Sequence, residues 1–437
     1  MPRETPYQII VGLDFGTAFT KVMIRNTVTD ELYAIRFPYE GREEFFLPSV
    51  LYLRDGAILH PIGIDSVEGL LMIPYLKMAL AEKCRKTPDR WLRLANRANG
   101  GELGFPVGDY IEALTGYFLL PIVQHSLQDV RSRWPDFQSH PDDSVFFQMS
   151  IPAEDVQQEK VLESFKKCLF WAVDKATIGG YESDLAKMGD AINKQQPREK
   201  CFFIAEVTAN VMAYRRSREG RSGLYLFVDV GAGTVDLSVF LYPNPEHFGE
   251  QQNYSAARVS LTGSSHIEMM AWEAAQPSIL AALRLRKEGQ TRATTHTLDL
   301  DHNLNRANRE IAQTLENDIR ETLGSAQPRH VPKEFGQIKV LIGGGGWSDK
   351  PYRQAVERAL RAFGIEPDIF LLPQPDNART VWAEDATRLA PRFSVAHGLS
   401  YPFWDWPEEK YPPQIGDMPR QAPPQHPTNP AHEDDGS

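Results

Sequence analysis

The chain carries one short plan twice, and no other feature limits its fold as strongly. VGLDFGTAFTKVMI near the start and FVDVGAGTVDLSVF in the middle each read as an apolar strand, Asp-x-Gly, a turn of small residues and a second apolar strand. Asp14 and Asp229 stand 215 positions apart in a chain of 437 residues, about half of what precedes a proline-rich tail. Two duplicated lobes, each aiming a hairpin at a shared cleft, leave this pattern. The length agrees, because single cores stop growing near roughly 250–300 residues.

A strand ending in Asp-x-Gly is equipped for phosphate chemistry. Glycines let backbone N–H groups approach phosphate oxygens without side-chain obstruction. The strand-end carboxylates of Asp14 and Asp229 can hold Mg²⁺ through water, since that ion dehydrates reluctantly. The turns supply Gly16, Thr17 and Ala18 in one hairpin and Gly231, Ala232, Gly233 and Thr234 in the other, with hydroxyls at Thr17 and Thr234. One such hairpin alone is an ordinary turn; two at matched positions point to a site. VLIGGGGWSDKPY adds Gly343, Gly344, Gly345 and Gly346 between a strand and a helix. A plain strand-to-helix turn rarely needs four glycines, whereas a flat nucleoside lying on bare backbone uses them.

The rest of the chain alternates strand and helix signals. FFLPSVLYLRDGAILHPIG predicts a hairpin around Asp55 and Gly56. From about residue 66 to 133 the apolar spacing turns helical, through LLMIPYLKMALAEK and YIEALTGYFLLPIVQHSLQDVRSRW. VFFQMSIPA predicts a buried strand, VQQEKVLESFKKCLFWAV a helix, and CFFIAEVTANVMAYRR a strand that becomes a helix. Residues 264–326 read as mostly helical with a polar break near 287–303. The expected domains are 1–200, a first lobe with a helical insertion at about 79–140; 201–402, a second with an insertion at about 264–330; and a tail at 403–437. Nine prolines within 402–437 leave too little apolar surface to offset ordering entropy, so disorder is expected from about 408. The run Tyr401, Phe403, Trp404 and Trp406 either packs back on the core or docks a partner.

Composition narrows the class. A formal charge of −11 argues against wholesale nucleic-acid binding, which needs a basic face. Cys84, Cys168 and Cys201 lack CxxC spacing and offer neither a disulfide framework nor a zinc site. No signal-peptide core and no apolar run of about 20 residues is present, so a cytoplasmic protein without membrane partners is the expectation.

DFGTAFTKV (14–22), VDVGAGTVDLSV (228–239) and VLIGGGGWSDK (340–350) resemble, in order and rough spacing, the phosphate-1, phosphate-2 and adenosine motifs of the Hsp70/actin/sugar-kinase superfamily. The likeness is strongest to the Hsp70 nucleotide-binding domain: FFLPSVLYL resembles its Pro-Ser strand, and AEVTANVMAY and RFSVAHGLSY its two connecting helices. The resemblance implies an α/β fold of two ribonuclease-H-like lobes with ATP or ADP and Mg²⁺ between them. It gives Asp14 and Asp229 the metal waters, joined by Asp236, and gives Thr17 and Thr234 the phosphates. Lys77 in YLKMAL takes the place of a catalytic lysine, with Lys83 as a rival and a solvated helix lysine as the plain alternative. Glu206 positions metal or attacking water, or simply offsets its helix dipole. Glu316 and Arg320 flank the adenine, or form a solvated i,i+4 ion pair.

Three departures accompany the likeness. Ala18 and Phe19 remove a hydroxyl from the first turn, Ser264-Ser265-His266 replaces a Gly-Gly-acidic turn, and 39 residues past Gly398 are too few for a chaperone's substrate-binding domain. The expected function is a slow ATPase that switches conformation for a separate protein partner. The alternatives are a nucleotide-binding scaffold with little turnover, an actin-like filament former and a small-molecule kinase, the last without a recognisable acceptor-site signature.

Overall fold

A computed structural model describes residues 3–85, 90–152, 158–179, 184–215, 220–242, 252–266, 297–347, 350–366, 369–371, 386–406 and 409–410. The expected break at 287–296 and the tail from 411 lie outside these residues. The protein is a mixed α/β structure built on two large sheets. In the first, β1 (Gln8–Phe15) pairs antiparallel with β2 (Phe19–Asn26), which pairs antiparallel with β3 (Glu31–Ala34). On its other edge β1 pairs parallel with β4 (Ser144–Ile151), and β4 with β5 (Cys201–Ala205).

The second sheet repeats this wiring. β6 (Gly223–Val230), β7 (Val235–Tyr242) and β8 (Gln252–Ser260) form the antiparallel meander. β9 (Lys339–Gly343) and β10 (Ile369–Leu371) add in parallel on the far side. The orders are therefore 5-4-1-2-3 and 10-9-6-7-8, with the same sense at every corresponding pair.

Strand alternation gives each sheet two faces with different tasks. In the first sheet Ile9, Val11, Leu13 and Phe15 point to an outer core shared with α1 (Leu76–Arg85), α2 (Arg90–Ala98), α3 (Ile111–Arg133), α4 (Glu159–Ile178) and α5 (Leu185–Asn193). In the second, Leu224, Leu226, Val228 and Val230 point to α7 (Thr297–Ala326) and α8 (Lys350–Ala362). The opposite faces look inward onto two further helices, α6 (Glu206–Arg215) and α9 (Ala386–Leu399), which pack on each other. Val207, Val211 and Tyr214 of α6 bury against Tyr225, Phe227 and Phe240 of the second sheet. Phe393 and Ala396 of α9 bury against Met23 of the first. The helices touch through backbone: a Cβ on Gly398 would lie 1.8 Å from the Ala209 carbonyl oxygen.

The residues at 51–54 and 57–59 pair as the expected hairpin, with Asp55 and Gly56 at φ 51° and 75°. Four expectations need correction. Leu71–Ile73 is a strand, not helix; it pairs with 51–54, and α1 begins only after Pro74. Cys201–Ala205 belongs to the first sheet, so the chain crosses between sheets in α6 and not at residue 200. Residues 297–303 are helical despite their polarity, because α7 buries one stripe further along, from Ala307 to Leu323. Disorder from about 408 gives way at Glu409–Lys410, which pair with Gln252 and Asn253. Upstream, Phe403 stacks on Phe202 with ring centroids 3.8 Å apart, so this aromatic run packs on the core, although Trp404 remains half exposed. No helix among the described residues is long and apolar enough to cross a membrane.

Candidate functional site

The two hairpins match residue for residue at their tips. Asp14 lies across from Lys21 and Asp229 across from Asp236, each pair seven positions apart. The Gly16 N–H donates to the Asp14 carbonyl at 3.1 Å, and the Gly231 N–H to that of Asp229 at 3.2 Å. A Cβ on Gly16 would lie 2.4 Å from the Phe19 oxygen, so this turn requires glycine. The register aligns Thr17 with Ala232 and Phe19 with Thr234, so the two threonines occupy different places in their loops. The tips abut: a Cβ on Gly233 would lie 2.7 Å from the Thr17 hydroxyl and 2.9 Å from the Met78 side chain.

Because Asp14, Lys21, Asp229 and Asp236 sit on the inner parity of their strands, their side chains share the space between the sheets. Asp14, Lys77, Asp229 and Asp236 are all buried. Lys77, at the start of α1, forms an ion pair with Glu206, the first residue of α6. Lys21 pairs with Asp14, whose other oxygen is 3.4 Å from the Ser150 hydroxyl on β4. The Thr234 hydroxyl is 3.5 Å from Asp236, and the Asn210 amide donates to Asp229 at 2.7 Å. Burial alone would pull the Lys77 ammonium down, but the charges of Glu206, Asp14 and Asp236 more than offset it and hold it above the ordinary lysine value. Burial, followed by the charges of Glu206 and Asp14, pushes the Asp229 carboxyl up to about 7 against the opposing pull of Lys21 and Asn210.

Four carboxylates thus meet two ammonium groups, and burial first, the surplus negative charge second, raises Asp229's proton affinity. All the donors are hard oxygens, as Mg²⁺ prefers. Among the described residues, however, no three His, Cys, Asp or Glu side chains stand close enough to hold an ion by themselves. The oxygen donors fit a hydrated cation, whose waters Asp14, Asp229 and Asp236 would hold.

The glycine loop lies beside this cluster, since Gly343 pairs with Asp229. Gly344 has φ +84°, and a Cβ there would lie 2.3 Å from the Val230 oxygen and 2.5 Å from an Asp229 oxygen. The Gly346 N–H donates to the Val230 carbonyl at 3.1 Å, and a Cβ there would press on Val230 at 2.8 Å. Close packing on β6 therefore accounts for Gly344 and Gly346, and leaves Gly345 as the exposed one, with Arg392 beside it. The turn at 262–266 closes the second hairpin from the other side, with Ser264 and Ser265 N–H groups donating to Gly231 and Ala232. Glu316 pairs with Arg320 at 2.6 Å and with Arg358 at 3.0 Å, so the i,i+4 ion pair forms and a second arginine joins it.

Lys21, Asn210 and Ser394 are additions to the residues singled out from sequence. Lys21 was within reach of a register argument, because hairpin pairing places position +7 opposite Asp14 once the turn is fixed. Asn210 and Ser394 meet only because α6 and α9 cross, which no local pattern announces. No family model matches this chain, and none of the curated proteins matches its sequence. What fold and site define is a class: a mixed α/β protein whose two like-wired sheets bring two Asp-x-Gly hairpins tip to tip.

Proposed function

We propose that the chain binds Mg·ATP between two duplicated ribonuclease-H-like lobes and hydrolyses it slowly, as an Hsp70-like conformational switch for a separate protein partner. The single observation carrying this reading is the abutment of the two equivalent hairpins, with Asp14, Asp229, Asp236 and Glu206 facing Lys21 and Lys77. Such a site neutralises and positions a polyphosphate, which is nearly all that phosphoryl transfer asks of a protein.

The chain's own groups divide the work. Backbone N–H groups of Thr17, Ala18, Ala232, Gly233 and Thr234 would cradle phosphate oxygens, whereas those of Gly16 and Gly231 bond within their own turns. The ammonium groups of Lys77 and Lys21 offset charge that grows on the transferred phosphoryl group. Glu206, held by Lys77, orients the attacking water. Bound Mg²⁺ would supply further charge neutralisation beside Asp14, Asp229 and Asp236. Gly345 offers the bare backbone surface for the nucleoside. α9, touching both sheets, is the element through which closure on the ligand reaches the outer surface.

One observation favours a scaffold with little turnover as the second reading. Phe19 stands where the second hairpin has Thr234, and the Arg392 guanidinium lies 5.3 Å from its ring centre. The first loop therefore offers no hydroxyl at this place; its own, on Thr17, stands two positions earlier. Single-turnover hydrolysis of labelled ATP with Mg²⁺, beside Asp229→Ala, decides between the readings. ADP formed by the wild type and lost in the variant supports the ATPase. ATP bound but left intact supports the scaffold, and failure to bind refutes both.

A further inference from the structure

α6 is clamped between two layers, and most of what it buries is apolar: Val207 and Val211 face the second sheet and Ala209 faces α9. Asn210 stands among them with no solvent exposure. Burying an amide is costly unless both its ends are hydrogen-bonded. Here both are. The Asn210 Nδ2 donates to Asp229 Oδ2 at 2.7 Å, and its Oδ1 accepts from the buried Ser394 hydroxyl of α9. An ionised carboxylate only accepts, so Ser394 and Asp229 together leave the amide one orientation. Two crossing helices, in backbone contact at Ala209 and Gly398, are thereby tied to one oxygen of a site carboxylate.

We infer that Asn210 is a positioning residue for Asp229, with Ser394 fixing the amide so that Asp229 presents its other oxygen toward the metal waters of a bound nucleotide. This role rests on the Mg·nucleotide reading given above. Groups that hold a metal-facing ligand from behind typically affect metal affinity by about 10–100-fold. The same relay passes through the α6–α9 crossing, so a shift of one helix along the other would change how Asp229 is held.

The test is the Mg²⁺ dependence of binding of a fluorescent ATP analogue to the full chain, measured beside binding in EDTA. Asn210→Leu keeps the volume and removes the donor. It is expected to raise the Mg²⁺ concentration needed by about 10–100-fold while leaving metal-free binding within about threefold. Ser394→Ala is expected to fall between that variant and the wild type, and Ser394→Thr, which restores a hydroxyl, to match the wild type. A purely structural role for Asn210 would lower both kinds of binding together and would overturn the inference. So would a wild-type Mg²⁺ requirement in Asn210→Leu. If Asn210→Leu does not fold, the Ser394 pair decides: equal Mg²⁺ requirements in the alanine and threonine forms refute the relay. A wild type without Mg²⁺-dependent binding refutes the nucleotide reading itself, and the positioning role with it.

Discussion

Asp229 is an acid whose folding environment opposes its charge, and this makes the site measurable without any ligand. Its carboxyl rises from an ordinary aspartate value of 3.8 to about 7 in the folded chain, through burial first and the charges of Glu206 and Asp14 next. Between those values the folded chain retains a proton that the unfolded chain has released. Stability must therefore fall as pH rises through this window, and the full contribution is lost once pH passes the folded value. At about 1.4 kcal/mol per pH unit the bound is roughly 4 kcal/mol. Asp229→Asn removes the titration yet keeps an oxygen for the Asn210 amide. Urea denaturation from pH 4 to pH 8 is the assay. The variant is expected to match the wild type near pH 4, to gain steadily toward pH 7, and to hold a constant advantage above it. Saturating Mg·ATP at pH 8 should shrink that advantage, because only the ionised wild-type group faces a cation. A difference that stays flat across pH would refute the reasoning: Asp229 would then be hydrated, and the cluster open to solvent.

Other substitutions probe the parts around it. Gly398→Ala puts a methyl into the Ala209 backbone, and is expected to cost about 3 kcal/mol or more by urea denaturation, since neither helix can retreat without leaving its sheet. Gly344→Ala should cost about 3 kcal/mol from positive φ and collision with Val230, whereas Gly345→Ala, whose Cβ would meet Arg392 at an ordinary 3.5 Å, should stay within about 0.5 kcal/mol. Lys77→Met is expected to lower single-turnover hydrolysis by roughly 100-fold or more and to leave ATP binding largely intact, because its charge acts on the transferred group.

Much of the site was legible from residues alone because its elements are local. An apolar strand, Asp-x-Gly and a second apolar strand determine a hairpin, and duplication of that unit predicts a second one. Lys77 and Glu206 stand at helix starts and indeed meet. The parts that resisted are set by tertiary contact. Leu71–Ile73 is too short to display a period of two, so it merged into the helical pattern that follows. The four glycines after Ile342 read as a ligand bed, yet two of those positions, Gly344 and Gly346, answer to β6 lying against the loop. Thr17 and Thr234 are alike in type, but counting from Asp14 and Asp229 sets Thr17 against Ala232 and Phe19 against Thr234. Asn210 and Ser394 lie 184 positions apart and depend on a helix crossing.

The divergence between the hairpins gives the space between the two sheets a direction. Seven residues past its aspartate, the first hairpin carries Lys21 and compensates its own charge; at the same place the second carries Asp236 and doubles it. Equal wiring with opposite charge makes the two sides of the space unequal. On the nucleotide reading, phosphate oxygens are drawn to the Lys21 and Lys77 side, and the hydrated cation to the Asp229 and Asp236 side. Lys77 is the group that joins the two, since it is paired to Glu206 from α6 and feels Asp14 and Asp236 as well. Exchanging the charges, Lys21→Asp with Asp236→Lys, would keep the net charge and reverse this direction. Binding of Mg·ATP should then be lost although each hairpin keeps its glycines, whereas retained binding would mean that the backbone cradle alone sets the pose.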